Sequence, residues 1–158
     1  MTDPQDYTLE QFLSEIEAII KATPNATNPI GVSGCVYESA SGYRHCVIGK
    51  WLKSIGLIDL LVGLDPNGNR CGFEYNEDNG NESALNILPR MGFNADVASA
   101  AKKIQTVADG DDEGDDVAWG ELFSSRKLKR LFPQQYKANK KATGRLAKIK
   151  GYAKDLFS

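Results

Sequence analysis

His45 and Cys46 stand side by side, and a thiol beside an imidazole is the simplest arrangement for nucleophilic catalysis by cysteine. The thiolate needs a base within hydrogen-bond reach, and His45 is the single histidine of the chain. Neighbouring residues on a strand point to opposite faces, however, and free cysteines are commonly buried. We therefore expect a hairpin histidine and a structural cysteine, and we predict no catalytic residue.

Metal chemistry has equally weak support. Cys35, Cys46, Cys71 and His45 supply the ligand types of a Cys₃His zinc site, but the usual Cys-x₂₋₄-Cys spacing is missing. Three cysteines are an odd and sparse set, which favours reduced thiols in a cytoplasm over a disulfide framework. Phosphate-loop, dinucleotide and Gly-x-Ser-x-Gly motifs do not occur. We predict neither a metal nor a cofactor.

Two loops resemble calcium sites in part. Residues 65–69 place oxygen ligands at alternate positions, but Arg70 stands where an EF-hand needs Gly and Asn76 stands where it needs Glu. Residues 109–116 hold six acids, yet Gly120 occupies the twelfth position. We interpret the first as a turn and the second as a solvated loop, whose last acids favour the N-terminus of the following helix. Weak divalent binding at the second loop stays open.

The basic end of the chain is the most specific signal. Residues 126–158 contain eleven Lys or Arg and one Asp, giving +10, whereas residues 1–125 contain eight basic and twenty acidic residues, giving −12. A stripe of cations can follow phosphates and bind them in a salt-dependent manner. The alternatives are an arm that folds back on the acidic body, an oligomer contact or a solvated helix face. The predicted contacts with nucleic acid or an acidic protein partner are Arg126, Lys127, Lys129, Arg130, Lys137, Lys141, Arg145 and Lys148.

Hydrophobic periodicity and caps locate the elements that position these residues. Thr8, Asn94 and Asp116 are predicted helix caps, and the side chain of Gln11 is expected to reach back to Thr8 in a capping box. The helices are expected at about 9–23, 46–55, 83–88, 95–108, 116–132 and 134–156. Residues 35–37 and 43–45 suit a hairpin around 38–42, residues 70–75 suit a strand, and residues 58–64 suit either a helical turn or a buried strand. The residues expected in the core are Ile16, Trp51, Leu52, Ile104, Trp119 and Leu122.

These elements predict an α+β fold: a mainly helical single domain with a small β-hairpin and a basic C-terminal helical arm. Residues 1–125 form the compact acidic part and residues 126–158 form the arm. The N-terminus is acidic and polar, and no apolar run approaches a membrane span, so we expect a cytoplasmic protein without a membrane contact. A homo-oligomer is left open.

Part of the chain resembles a family of small uncharacterised proteins of bacteriophages and actinobacteria. The resemblance covers residues 31–121. It is carried by Cys35-Val36-Tyr37, Gly42, Cys46-Val47-Ile48-Gly49, Leu52, Gly56, Gln105, the acidic turn ending in Asp116, and Trp119-Gly120. It implies a phage or phage-like origin, in which case the location is the host cytoplasm, and a compact helical domain with a small hairpin. It implies no activity.

Three readings of function follow. The favoured one is a non-enzymatic accessory binding protein whose basic arm contacts nucleic acid or an acidic protein. The second is an inhibitor of a host defence system, acting by protein capture or by sequestering a nucleotide signal in a pocket of basic and aromatic residues. The third is an enzyme that uses Cys46, which would require a low-pKa, reactive thiol.

Overall fold

A computed structural model describes residues 2–31, 34–78, 80–110 and 117–140. Its α-helices are α1 (Leu9–Ala22), α2 (Val47–Ser54), α3 (Ala84–Met91) and α4 (Ala95–Ala108), and residues 133–140 are also helical. Short 3₁₀ helices occupy Pro4–Asp6, Ile58–Leu60, Trp119–Ser124 and Arg126–Leu128. The strands are β1 (Ile30–Gly31), β2 (Gly34–Cys35), β3 (Gly63–Leu64) and β4 (Arg70–Gly72). The prediction of a mainly helical α+β fold with a small antiparallel hairpin is confirmed.

Side-chain caps explain where the two long helices begin. Thr8 accepts a hydrogen bond from the backbone N–H of Gln11, and Asn94 accepts one from Val97, each at 3.0 Å. Each cap satisfies a donor at a helix start that has no partner within the helix. The side chain of Gln11 was expected to reach back to Thr8, but it donates to the hydroxyl of Thr2 instead.

The core lies where α1, α2, α3 and α4 meet, and the 3₁₀ helices 119–124 and 126–128 close it. Tyr7, Phe12 and Phe93 surround the ring of Trp51, with centroids 4.7–5.7 Å away. Such tilted and edge-on pairs add to the stabilisation from burial alone. All the predicted core residues are buried: Ile16, Trp51, Leu52, Ile104, Trp119 and Leu122.

The predicted hairpin is only partly right. Residues 36–38 and 45–46 do meet, but through the single bridge Glu38–His45 and the hydrogen bond from Cys46 N–H to the Val36 carbonyl. The regular antiparallel pairs are β1 with β2 and β3 with β4. Glu38 also bridges to Arg70 on its other side, so this backbone is shared between two neighbours and no long two-stranded ladder forms. Residues 58–64 contain both predicted alternatives, a 3₁₀ turn and then β3.

The prediction of one helix over 116–132 is wrong within the described residues. The chain is extended at Ser125 (φ −73°, ψ 128°), which separates the 3₁₀ helices 119–124 and 126–128. The break lets Phe123 and Leu128 both face the core, where they are buried. Long-range burial thus overrides the local helical pattern. Asp116, the predicted cap, lies outside the described residues.

Candidate nucleic-acid interface

The first predicted contacts lie on the 3₁₀ helix 126–128 and the turn after it. Arg126, Lys127, Lys129 and Arg130 are exposed, whereas Leu128 between them is buried. The alternation arises because the short helix packs one side on α4 and leaves its charged side in solvent. Four cations are therefore displayed by one short segment of backbone.

Two apolar anchors hold this segment in place. Leu128 and Phe132 are both buried in the common core. The ring of Phe132 meets that of Phe123 edge-on at 5.3 Å. Further on, Gln135 donates a 2.7 Å hydrogen bond to the carboxylate of Glu17 on α1. The anchors Leu128 and Phe132 follow the predicted boundary at residue 125, so the cations that surround them stand on the packed part of the molecule.

Helix α4 brings two further lysines to the same place. Lys102 and Lys103 line a shallow groove with Thr106, Val107 and Lys127, and its volume is about 370 Å³. We call the group Lys102, Lys103, Arg126, Lys127, Lys129 and Arg130 the basic platform. The lysine pair on α4 is visible in the sequence, but its closeness to Lys127 depends on how α4 packs against the 3₁₀ helix.

The other predicted contacts lie beyond the platform. Lys137 is exposed on the helical stretch 133–140, and Lys140 stands over the ring of Tyr136 at 5.5 Å. Lys141, Arg145 and Lys148 lie outside the described residues. The structure thus brings one predicted residue, Lys127, beside two lysines that the sequence analysis missed, and Arg126, Lys129 and Arg130 are exposed next to Lys127 along the chain.

His45 and Cys46 have separate partners. The ring of His45 meets the carboxylate of Glu38 through Nε2 at 2.8 Å. The sulfur of Cys46 is fully buried and accepts a hydrogen bond from the N–H of Gly49 at 3.2 Å, so it caps α2. The two side chains therefore diverge, as the expectation of a hairpin histidine and a structural cysteine requires. Cys71 donates to the Gly63 carbonyl, and burial raises the pKa of its thiol.

Glu38 is the centre of a charged cluster. Besides His45, its carboxylate accepts a 2.9 Å hydrogen bond from Nε of Arg70, whose other nitrogens bind the Leu61 carbonyl and Asp59. Burial alone would raise the pKa of Glu38, but the hydrogen bonds from His45 and Arg70 outweigh it and hold that pKa below its ordinary value. The cluster ties together the three chain segments that meet at Glu38.

Stability is expected to depend on pH through this carboxylate. A depressed pKa stabilises the fold above the ordinary Glu pKa of about 4.3, and this stabilisation is lost as pH falls through the folded-state value. Glu38→Gln should therefore lower the free energy of unfolding by about 1–3 kcal/mol at pH 7. The difference from wild type should shrink below pH 4. Urea unfolding at several pH values measures it. The exposed Glu77→Gln is the control, and an equal deficit at every pH would contradict the assignment.

The calcium-like loop 65–69 is a turn held by its own first residue. Asp65 accepts hydrogen bonds from the N–H groups of Asn67 and Asn69 and from the Asn69 amide. Burial alone would raise the pKa of Asp65, but these hydrogen bonds outweigh it and keep that pKa below its usual value. Across the part of the chain that the structure describes, no three His, Cys, Asp or Glu residues are grouped to hold a metal. Residues 111–116 and the side chain of Cys35 lie outside that part.

No protein-family model, curated protein or solved structure matches this chain. Among the helices described, none is both long and apolar enough to cross a membrane. The resemblance stated above therefore stays a prediction that rests on its quoted residues.

Proposed function

We propose that this protein is a non-enzymatic accessory protein that binds nucleic acid through the basic platform, with the rest of the arm extending the contact. The observation that carries the proposal is the placement of Lys102 and Lys103 of α4 beside Lys127, which lies in a short segment that also exposes Arg126, Lys129 and Arg130. Because the backbone that carries these cations is already ordered, binding to a row of phosphates costs side-chain freedom but no ordering of a loop. The body of the protein supplies that order.

The charge distribution of the chain supports a polymeric anion as the ligand of the basic platform. The platform and arm carry most of the positive charge, whereas residues 1–125 are strongly acidic. Binding to phosphates releases counterions from the nucleic acid, so the affinity should fall steeply with added salt. An acidic protein partner is the competing occupant of the same surface.

The experiment is fluorescence-anisotropy binding of the whole chain to short duplex and single-stranded DNA across a salt series. The test variant is Arg126→Ala/Arg130→Ala, and the matched control is Lys21→Ala/Lys53→Ala, which removes the same charge from exposed positions of α1 and α2. Loss of two phosphate contacts should reduce the slope of log K against log salt by about two for duplex DNA. At low salt the affinity should fall at least tenfold, while the control stays near wild type.

Point variants are preferable to a truncation at residue 125. Such a truncation removes Leu128 and Phe132 from the core, so lost binding and lost folding would be confounded. Absence of binding at low salt, or equal effects of the test and control variants, would contradict the nucleic-acid proposal. Capture of an acidic host protein by the wild type, lost in the test variant, would then assign the platform to a protein partner.

We also propose a phage or phage-like origin, and its support is the residue pattern in 31–121 alone. A phage protein of this kind acts in the cytoplasm of the host. An inhibitor of host defence that sequesters a nucleotide signal needs a pocket with basic and aromatic walls, and one cleft of this molecule has that lining.

A further inference from the structure

A second site has basic side chains, and the carboxylate of Glu38 lies next to its lining, where it is held by His45. The site is a cleft of about 310 Å³ between the loop 23–27 and the segment 43–50, and the side of Trp119 forms part of its wall. Its lining residues are Thr23, Asn25, Ala26, Thr27, Tyr43, Arg44, His45, Lys50 and Trp119. None of them carries a carboxylate, although the acidic residues of the whole chain outnumber the basic ones.

The walls of the cleft are held by the backbone. The N–H groups of Trp119 and Gly120 donate to the carbonyls of Ala26 and Pro24, each at 2.8 Å. On the opposite side, Ser39 and Arg44 close the turn 39–44 through a 2.8 Å hydrogen bond from the Ser39 N–H to the Arg44 carbonyl. The cleft is therefore formed before any ligand enters, which lowers the entropic cost of binding.

Two cations are available to an anion in the cleft. Arg44 is exposed, and one of its terminal nitrogens rests on the Thr27 carbonyl and hydroxyl at 3.4 and 3.2 Å. These contacts direct the guanidinium toward the loop and leave further N–H donors for a ligand. Lys50 is exposed on α2, one turn after Cys46. A guanidinium and an ammonium together match the oxygens of a phosphate.

An aromatic ring stands beside these cations. Tyr43 is 90% exposed, the highest value among the large apolar side chains exposed in the described residues. Trp119, by contrast, is buried, and its indole N–H donates to Asn28 at 2.9 Å. Tyr43 is thus free to present a ring face to a planar group, while Trp119 forms a fixed wall. Aromatic side chains in such positions bind nucleobases by stacking.

We propose that this cleft binds a nucleoside phosphate, with Arg44 and Lys50 on the phosphate and Tyr43 stacked on the base. Small-molecule sites in proteins run from about 300 to about 1,000 Å³, so the volume suits one nucleotide rather than a longer ligand. A free nucleotide and the 5′-phosphorylated end of a nucleic-acid strand both present a base next to a phosphate, so either could be the ligand. The inference does not depend on the basic platform, which shares no residue with the cleft.

Isothermal titration calorimetry of the full chain with AMP, adenosine and inorganic phosphate tests the proposal. AMP should bind more tightly than phosphate, and adenosine should bind at least tenfold more weakly than AMP. Lys50→Ala and Arg44→Ala should each weaken AMP binding at least tenfold. Tyr43→Ala should weaken AMP binding about tenfold without changing phosphate binding, whereas Tyr43→Phe should stay within about twofold of wild type because the ring is retained.

Lys53→Ala is the matched control, since Lys53 is exposed on the same helix but does not line the cleft. Thermal melting of each variant verifies that it folds. AMP that fails to bind at millimolar concentration would overturn the proposal, as would binding that is unchanged in both Lys50→Ala and Arg44→Ala. Equal affinities for AMP and phosphate, or for AMP and adenosine, would also overturn it, because one of the two contacts would then be missing.

Competition separates the two sources of the ligand. Displacement of AMP by a 5′-phosphorylated oligonucleotide, but not by its unphosphorylated form, assigns the cleft to a strand end, and no displacement assigns it to a free nucleotide. The platform variant Arg126→Ala/Arg130→Ala should leave AMP binding unchanged. Failure of this proposal and failure of the nucleic-acid proposal are therefore measured independently.

Discussion

Gly49→Ala is expected to destabilise the fold by about 3 kcal/mol or more, or to prevent folding. A Cβ atom at this position would lie 1.9 Å from the carbonyl oxygen of Tyr37 and 2.7 Å from its carbonyl carbon. Real carbon–oxygen contacts are far longer, so either α2 or the backbone at Tyr37 would have to move. The obstacle is backbone, and no side-chain rotation can relieve it.

The segment at Tyr37 has little room to retreat. Its N–H donates to the Arg70 carbonyl at 2.9 Å, and its hydroxyl donates to the Glu82 carbonyl at 2.6 Å. The same hydroxyl accepts a hydrogen bond from the side chain of Gln105, which is itself buried. Moving Tyr37 away from α2 would therefore strain contacts with three other parts of the chain.

Helix propensity alone predicts that Gly49→Ala stabilises the fold, so a loss of stability would identify the steric clash with Tyr37 as its cause. In an unhindered helix Ala is more favourable than Gly by about 1 kcal/mol. Chemical denaturation at pH 7 measures the difference, and Lys53→Ala on the same helix is the control, with an expected change within about 0.5 kcal/mol. A Gly49→Ala protein as stable as wild type would mean that α2 does not pack this closely on Tyr37.

Asn28→Ala is expected to cost about 3–5 kcal/mol, because one buried amide serves three partners. Its oxygen accepts hydrogen bonds from the Val47 N–H at 3.0 Å and from the Trp119 indole at 2.9 Å. Its nitrogen donates to the Asp109 carboxylate at 2.8 Å. Ala leaves two buried donors without an acceptor, and each costs about 1–3 kcal/mol. The amide thus connects α2, α4 and the 3₁₀ helix 119–124.

The Asn28 effect should depend on pH in a defined direction. Burial raises the pKa of Asp109, against the lowering effects of the hydrogen bond from Asn28 and the charge of Lys102. A raised carboxyl pKa stabilises the protonated fold, and that stability is lost as pH rises through the folded-state value. Without Asn28 the pKa should rise further, so the deficit of Asn28→Ala should be larger at pH 7 than below pH 4.

Urea unfolding of Asn28→Ala at about pH 7 and at about pH 3.5, which is just below the ordinary Asp pKa of about 3.9, gives both quantities. Asn25→Ala, an exposed amide in the same loop, is the matched control and should change stability by no more than about 0.5 kcal/mol. A small deficit at both pH values would show that water or a shifted side chain replaces the lost acceptor.

The residues of the family resemblance coincide with these contacts. Tyr37 and Gly49 form the close backbone approach, Gln105 binds the Tyr37 hydroxyl, and Trp119 binds Asn28. Gly120 approaches Pro24, which a Cβ would meet at 3.1 Å. The pattern therefore describes how the fold is held together, and it contains no residue of the basic platform. A function of the basic platform would therefore be particular to this chain and would not be shared by other proteins with the same residue pattern.

Local features of this protein can be predicted from its sequence alone. The caps at Thr8 and Asn94, the apolar stripes of α1 and α4, the predicted core and the run of cations after residue 125 were all readable. Each depends on residues within about one helical turn, where spacing decides which side chains share a face.

Contacts between distant segments are visible only in the folded chain. Folding places Lys102 and Lys103 beside Lys127, and it brings His45 and Arg70 into contact with Glu38. It also forms the cleft at Tyr43 and Arg44 and interrupts the expected helix at Ser125. Residue spacing does not predict such contacts, because they form only when several helices pack together and bury their apolar surfaces. The candidate sites of this protein lie among those features.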